Sequence, residues 1–134
     1  MDKTLPDSDF SYDPVTAINE EDAKGKTAEI FSDIRKTMNI PLVTSIWRGL
    51  ASMNNSLEEV WELTKPIYLS GTPELALNKM ISTIELPLPT IIDRIQLPTL
   101  KPIDFKNIQA IINVYNKSNG MNLMALSALI KSDF

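Results

Sequence analysis

Residues 21–38 read EDAKGKTAEIFSDIRKTM, and this stretch indicates the fold class. Its apolar side chains recur every three or four residues, which is the spacing of one face of an α-helix. Acidic residues begin the stretch, where the helix dipole favours negative charge. Asn39 and Pro41 are expected to end the helix. The predicted buried face comprises Ala23, Thr27, Ile30, Phe31, Ile34 and Met38.

The same spacing predicts further helices along the chain. They cover residues 42–53, a segment from Ser56 to a stop at Gly71, residues 72–84, residues 105–115 and residues 121–130. Pro66 is expected to kink the third helix or to end it early. Asp104 is predicted to cap the fifth helix, and residues 116–120 (NKSNG) are predicted to form a turn.

The last two helices differ in their apolar patterns. The fifth is expected to bury Ile108, Ile111, Ile112 and Tyr115. The sixth is apolar nearly all round, so we expect it to lie at the centre of the core or to be covered by another element.

Taken together, these patterns predict an all-α protein, a compact bundle of about six helices. Residues 1–17 are acidic and rich in Pro, Ser and Asp, and are expected to form a flexible arm ahead of a single domain over 18–134. Four prolines between residues 85 and 102 predict an extended connection, with room for a helical turn at 90–95. No segment of the sequence keeps the alternating pattern of a β-strand without interruption by proline.

Composition excludes several classes of function. The 134 residues contain no Cys and no His, which removes thiol nucleophiles, Ser-His-Asp triads, thiolate zinc sites and disulfides. The net charge of −4 comes without a basic patch, so nucleic-acid binding is not expected. No membrane span or secretion leader is visible. We therefore predict a soluble cytoplasmic protein.

A few polar residues support alternative roles. Glu58 and Glu62 share a helix face and suit a hard cation, but a solvated surface is the favoured interpretation, and no metal site is predicted. Arg48 suits a carboxylate ligand or a structural salt bridge. Asn119 suits either the orientation of a water molecule or anion at a helix start, or simple capping of the sixth helix.

Four segments resemble one repeat of the group I 2-haloacid dehalogenase family. They are EDAKGKTAEIFSDIRKTMNIPLV (21–43), IWRGLA (46–51), EEVWELTKPIY (58–68) and VYNKSNGMNLMALSAL (114–129). Members of that family are all-helical and contain two such repeats, with the active site between them. The resemblance therefore implies that this single repeat pairs as a homodimer, or with a second repeat-like chain.

The resemblance also implies a set of site residues. Asn119 is similar to the asparagine that holds the attacking water, and the family uses no cofactor. The catalytic aspartate of the second repeat belongs to the stretch that reads PLVTSIWR here, with Ser45 and Ile46 at the expected position. Neither side chain can take a proton from water as a carboxylate does. The substrate-binding residues implied are Leu42, Thr44, Ser45, Arg48, Tyr115 and Asn119.

Three functions follow as hypotheses. The first is a dehalogenase-like protein without the catalytic aspartate that binds a small carboxylate at a dimer interface. The second is an active hydrolytic 2-haloacid dehalogenase that uses a carboxylate from a partner chain. The third, from a different class, is a protein-interaction module without a small-molecule site. Whether the chain is an enzyme is left open by its sequence.

Overall fold

A computed structural model describes residues 17–85, 87 and 99–132. Its α-helices are α1 Gly25–Met38, α2 Ser45–Ala51, α3 Ser56–Leu69, α4 Thr72–Thr83 and α5 Pro102–Lys131, with a 3-10 turn at Glu20–Asp22. Within these ranges there is no strand, and the all-α class is confirmed. The arm as far as residue 16 and the helical turn predicted at 90–95 lie outside the described residues.

The first helix begins later and ends where the sequence predicts. Lys24 is extended and Gly25 has a φ of 54°, so the 3-10 turn before them is separate from α1. At the other end Asn39 adopts the left-handed conformation. The amide N–H of Ile40 then donates to the Arg35 carbonyl over 3.0 Å, which satisfies one of the last carbonyls of the helix.

The chain divides into two compact units, Met1–Pro66 and Ile67–Phe134. In the first unit the core forms around two tryptophans. The rings of Trp47 on α2 and Trp61 on α3 meet edge to face, with centroids 5.3 Å apart, a favoured arrangement for aromatic pairs. The remaining buried apolar residues of this unit are Ile30, Phe31, Ile34, Met38, Ile40, Val43 and Leu57.

In the second unit α4 packs against α5. Contact is close at Gly120, because a Cβ added there would lie only 2.6 Å from Cδ1 of Leu77. The face of α5 that is buried consists of Ser118, Met121, Asn122 and Ala125.

The predicted turn at residues 116–120 is wrong, since α5 runs without interruption from Pro102 to Lys131. Asn, Ser and Gly are poor helix formers, but each costs at most about 1 kcal/mol. Here the packing of Ser118 and Gly120 within the unit offsets that cost. Asp104 is likewise not the cap: the extended Lys101 precedes the helix and Pro102 begins it, a favoured place for proline.

Burial in the first half of α5 was also predicted wrongly. Ile108, Ile111 and Ile112 are 43%, 50% and 52% exposed, and Tyr115 is half-buried. The helical spacing correctly predicts an apolar face, but it does not determine whether another element packs against that face. The count of about six helices and the single domain over 18–134 stay predictions.

Candidate functional site

Residues 42–45, which lead into α2, carry three of the six predicted ligand contacts. Thr44 is completely buried, Leu42 and Ser45 are half-buried, and the Thr44 carbonyl accepts from the N–H groups of Trp47 and Arg48 at 3.2 and 3.4 Å. Thr44 therefore begins α2 from inside the core, and its side chain is enclosed by protein. Of this segment, Leu42 and Ser45 retain surface for a ligand.

Arg48 is tied to the residues that precede α1. Its Nη1 donates to Oδ1 of Asn19 over 3.2 Å, and its backbone carbonyl accepts from the amide of Ile18 over 3.1 Å. Its Nε is buried without an acceptor among the described residues. An arginine has five N–H donors in a fixed fork, and the Nε–H of Arg48 is one that a bound acceptor could satisfy.

The other two predicted contacts, Tyr115 and Asn119, lie on α5 in the second unit. Tyr115 is half-buried and Asn119 is exposed. Because α5 is continuous, Asn119 lies in mid-helix. Backbone N–H groups there are used within the helix, so both interpretations of Asn119 that rely on a helix start, capping and anion binding, are wrong.

A groove of about 310 Å³ lies between α1 and α3 in the first unit. At its floor the Asp33 carboxylate accepts from Trp61 Nε1 at 2.9 Å and from Lys65 Nζ at 2.6 Å. These two hydrogen bonds, that of Lys65 foremost, lower the pKa of Asp33. The carboxylate is consequently ionised and engaged at neutral pH, which suits it to holding two helices together and not to taking a proton from water.

A second carboxylate has a comparable structural role. Glu20 accepts from the Arg35 side chain and from the backbone N–H of Val43, which joins the 3-10 turn to α1 and to the segment before α2. Neither cluster was apparent in the sequence, because its members lie 15 to 32 residues apart.

The described residues place no three acidic side chains together in a way that would hold a metal ion. Glu58 instead lies 3.8 Å from Nζ of Lys26, and both side chains are largely exposed.

Among the described residues of the second unit, α5 carries an exposed apolar surface along one side. We call it the α5 stripe, and it consists of Phe105, Ile108, Ile112, Leu123 and Ile130, which are 59%, 43%, 52%, 58% and 75% exposed. Successive residues of an α-helix are 100° apart around its axis. The members of the α5 stripe therefore lie within a narrow arc, and the centre of that arc is about 120° around the axis from the centre of the buried face. The stripe extends over most of a helix about 45 Å long.

In comparisons with known proteins, no family model, curated protein or solved structure matches the chain. In the part of the chain that the structure describes, no helix is both long and apolar enough to cross a membrane.

Proposed function

We propose that this chain is a helical interaction module whose working surface is the α5 stripe. The observation that carries the proposal is the exposure of two apolar groups on one side of a 30-residue helix, Phe105, Ile108 and Ile112 near its start and Leu123 and Ile130 near its end. Contiguous exposed apolar patches beyond a few hundred Å² are rare on monomeric soluble proteins and mark interaction sites. An amphipathic helix that presents such a face is a common mode of protein recognition.

The chemistry of the remaining candidate residues supports the same proposal. The two carboxylates of the first unit that accept hydrogen bonds from other elements, Asp33 and Glu20, are each engaged in ion pairs. Asn119 lies within the arc of the stripe and is exposed. A polar residue in an otherwise apolar helix face is a common determinant of which partner is accepted.

Photo-crosslinking tests the proposal. A photoreactive amino acid placed at Ile112 in the full chain, expressed in the cells that make it, is expected to give a covalent product of one discrete mass. The matched control is the same amino acid at Leu75, which is 70% exposed on α4 and lies outside the stripe. Equal yields from the two positions, or no discrete product from Ile112, would contradict the proposal.

A second candidate function is the binding of a small carboxylate by a dehalogenase-like scaffold, as the family resemblance implies. The buried Nε of Arg48 that has no acceptor within the described ranges favours it, because guanidinium groups bind carboxylates in a bidentate manner. Leu42 and Ser45 would line such a site.

Titration with 2-chloropropionate, followed by NMR and by halide release, tests this second function. Binding without halide release is expected, since Ser45 and Ile46 replace the carboxylate that would activate water. Arg48→Gln should abolish binding while circular dichroism shows an intact fold. Halide release by the wild-type chain would instead support the active enzyme, and binding unaffected by Arg48→Gln would exclude this site.

A further inference from the structure

We infer that the partner of the α5 stripe is a second copy of this chain, which packs its own α5 antiparallel to the first. The inference rests on the proposed function and specifies the partner of the same surface.

The positions of the apolar residues along the helix are self-complementary. Three of them, Phe105, Ile108 and Ile112, stand near the start of α5, and Leu123 and Ile130 stand near its end. A two-fold axis between residues 117 and 118 places Phe105 opposite Ile130 of the other copy and Ile112 opposite Leu123, and it leaves Ile108 opposite Ser127. A two-fold interface uses the same patch on both copies, and four of the five apolar residues of the stripe meet that condition.

The polar middle of the stripe fixes the register. The same axis places Asn116 of each copy opposite Asn119 of the other, and both residues are exposed in the single chain. A carboxamide both donates and accepts, so two facing asparagines satisfy each other once water is excluded. A shifted register would bury each amide against Ile or Leu and leave it unsatisfied, at a cost of about 1–3 kcal/mol per group.

Charge is compatible with contact between identical faces. The basic residues of α5 lie away from the stripe: Lys106, Lys117 and Lys131 are at least about 80° from its nearest member around the helix. Lys117 Nζ is instead 3.9 Å from Glu74 on α4. Two copies can therefore approach without like-charge repulsion, and antiparallel helices also oppose their dipoles favourably.

The stripe supplies more than half of the area that a standard interface buries on each partner. Its five members each expose on the order of 100 Å², and a standard interface buries about 800 Å² per partner. The half-buried Tyr115 and Leu126, together with the exposed Ile111, flank the stripe and supply part of the remainder.

Cysteine cross-linking of the purified full chain tests the pairing, since the natural sequence has no cysteine. Ile112→Cys and Leu123→Cys are made separately, and sedimentation first establishes the mass of each. Under mild oxidation each variant alone is expected to stay uncross-linked, whereas an equimolar mixture gives a disulfide-linked dimer. Because both positions are exposed in the single chain, we expect the two substitutions to leave its fold intact.

An aspartate substitution gives a second measurement. Asn119→Asp is expected to raise the dimer dissociation constant at least tenfold, because two carboxylates are then desolvated on either side of the axis, within about one helical turn of each other. Asn107→Asp, also exposed on α5 but outside the stripe, is the matched control and should leave the constant unchanged.

The outcomes separate this inference from the proposed function. A wild-type chain that sediments as a monomer at about 100 µM, or single-cysteine variants that cross-link to themselves as in a parallel dimer, would overturn the inference. If the photo-crosslinked product at Ile112 then contains a different protein, the proposed function stands without the homodimer. If that position gives no discrete product, both are wrong.

Discussion

The phenol hydroxyl of Tyr68, near the end of α3, donates a 2.8 Å hydrogen bond to Oδ1 of Asn122 on α5. Both side chains are buried, and the Asn122 amide group in turn donates to Oγ of Ser118 over 3.4 Å. Burial raises the pKa of Tyr68, so the phenol stays protonated and remains a donor throughout the neutral range. This polar chain contributes to the packing of α5 where the sequence predicts a turn.

Removal of the phenol hydroxyl should destabilise the second unit. Tyr68→Phe leaves Oδ1 of Asn122 buried without its donor, and we expect the free energy of unfolding to fall by about 1–3 kcal/mol. Urea denaturation followed by circular dichroism measures the change. Tyr68→Phe combined with Asn122→Leu removes both partners and should recover part of the loss. A single variant as stable as the wild type would show that the bond contributes nothing.

Two glycines that lie within helices should respond oppositely to alanine. Gly120→Ala forces the Leu77 side chain to move, because the new Cβ would be 2.6 Å from its Cδ1, and we expect a net loss of about 1 kcal/mol after the gain in helix propensity. Gly49→Ala meets no atom within 4 Å and should gain about 0.5–1 kcal/mol. Thermal unfolding of the two variants checks this, and stabilisation by both would contradict the close contact.

The pairing of Asp33 should make stability depend on pH in the acid range. Because the pKa of Asp33 is lowered in the folded protein, its contribution is complete above the ordinary value of about 4 and is lost as the pH falls through the folded value. The pair is partly exposed, with 37% and 38% side-chain exposure for Asp33 and Lys65, so the effect should stay below about 1 kcal/mol.

Asp33→Asn isolates that contribution. The difference in unfolding free energy between wild type and variant should be constant from about pH 5 to 7 and should shrink below about pH 4. Lys65→Met provides the control, since without the ammonium group the difference should be smaller at every pH. If the difference in unfolding free energy between wild type and Asp33→Asn instead grew as the pH fell, the prediction would be contradicted.

Replacement of Pro66 should stabilise α3. The helix continues past this exposed proline to Leu69, although proline removes the backbone donor that would bond four residues back. Pro66→Ala restores that donor and should raise the free energy of unfolding by about 1–3 kcal/mol. Glu62→Ala, an exposed change one turn earlier in the same helix, is the control for altered propensity alone. A destabilised Pro66→Ala variant would mean that the local backbone depends on the proline.

The helices that the sequence predicts best are those with strong end signals. Asn39 ends α1 because it tolerates the left-handed conformation, and α4 begins at Thr72 with Pro73 in its first turn, where proline is favoured. Where signals conflict, prediction fails: residues 116–120 contain turn formers, yet tertiary packing at Ser118 and Gly120 keeps them helical. The candidate site was harder to predict, because the exposure of Ile108 and Ile112 depends on which elements pack beside them in the tertiary structure.

The sequence by itself determined that the described chain is helical, since apolar residues that recur every three or four positions share one face only when the backbone is an α-helix. It also determined that α5 is apolar on more than one side. Only the tertiary structure decided which side is buried, because the covering elements, α4 and the end of α3, are brought there by contacts distant in sequence, such as Tyr68 with Asn122. The apolar face of α5 that α4 and α3 leave exposed could not be predicted from the periodicity, because the periodicity shows where apolar residues lie on a helix but not which other residues contact them.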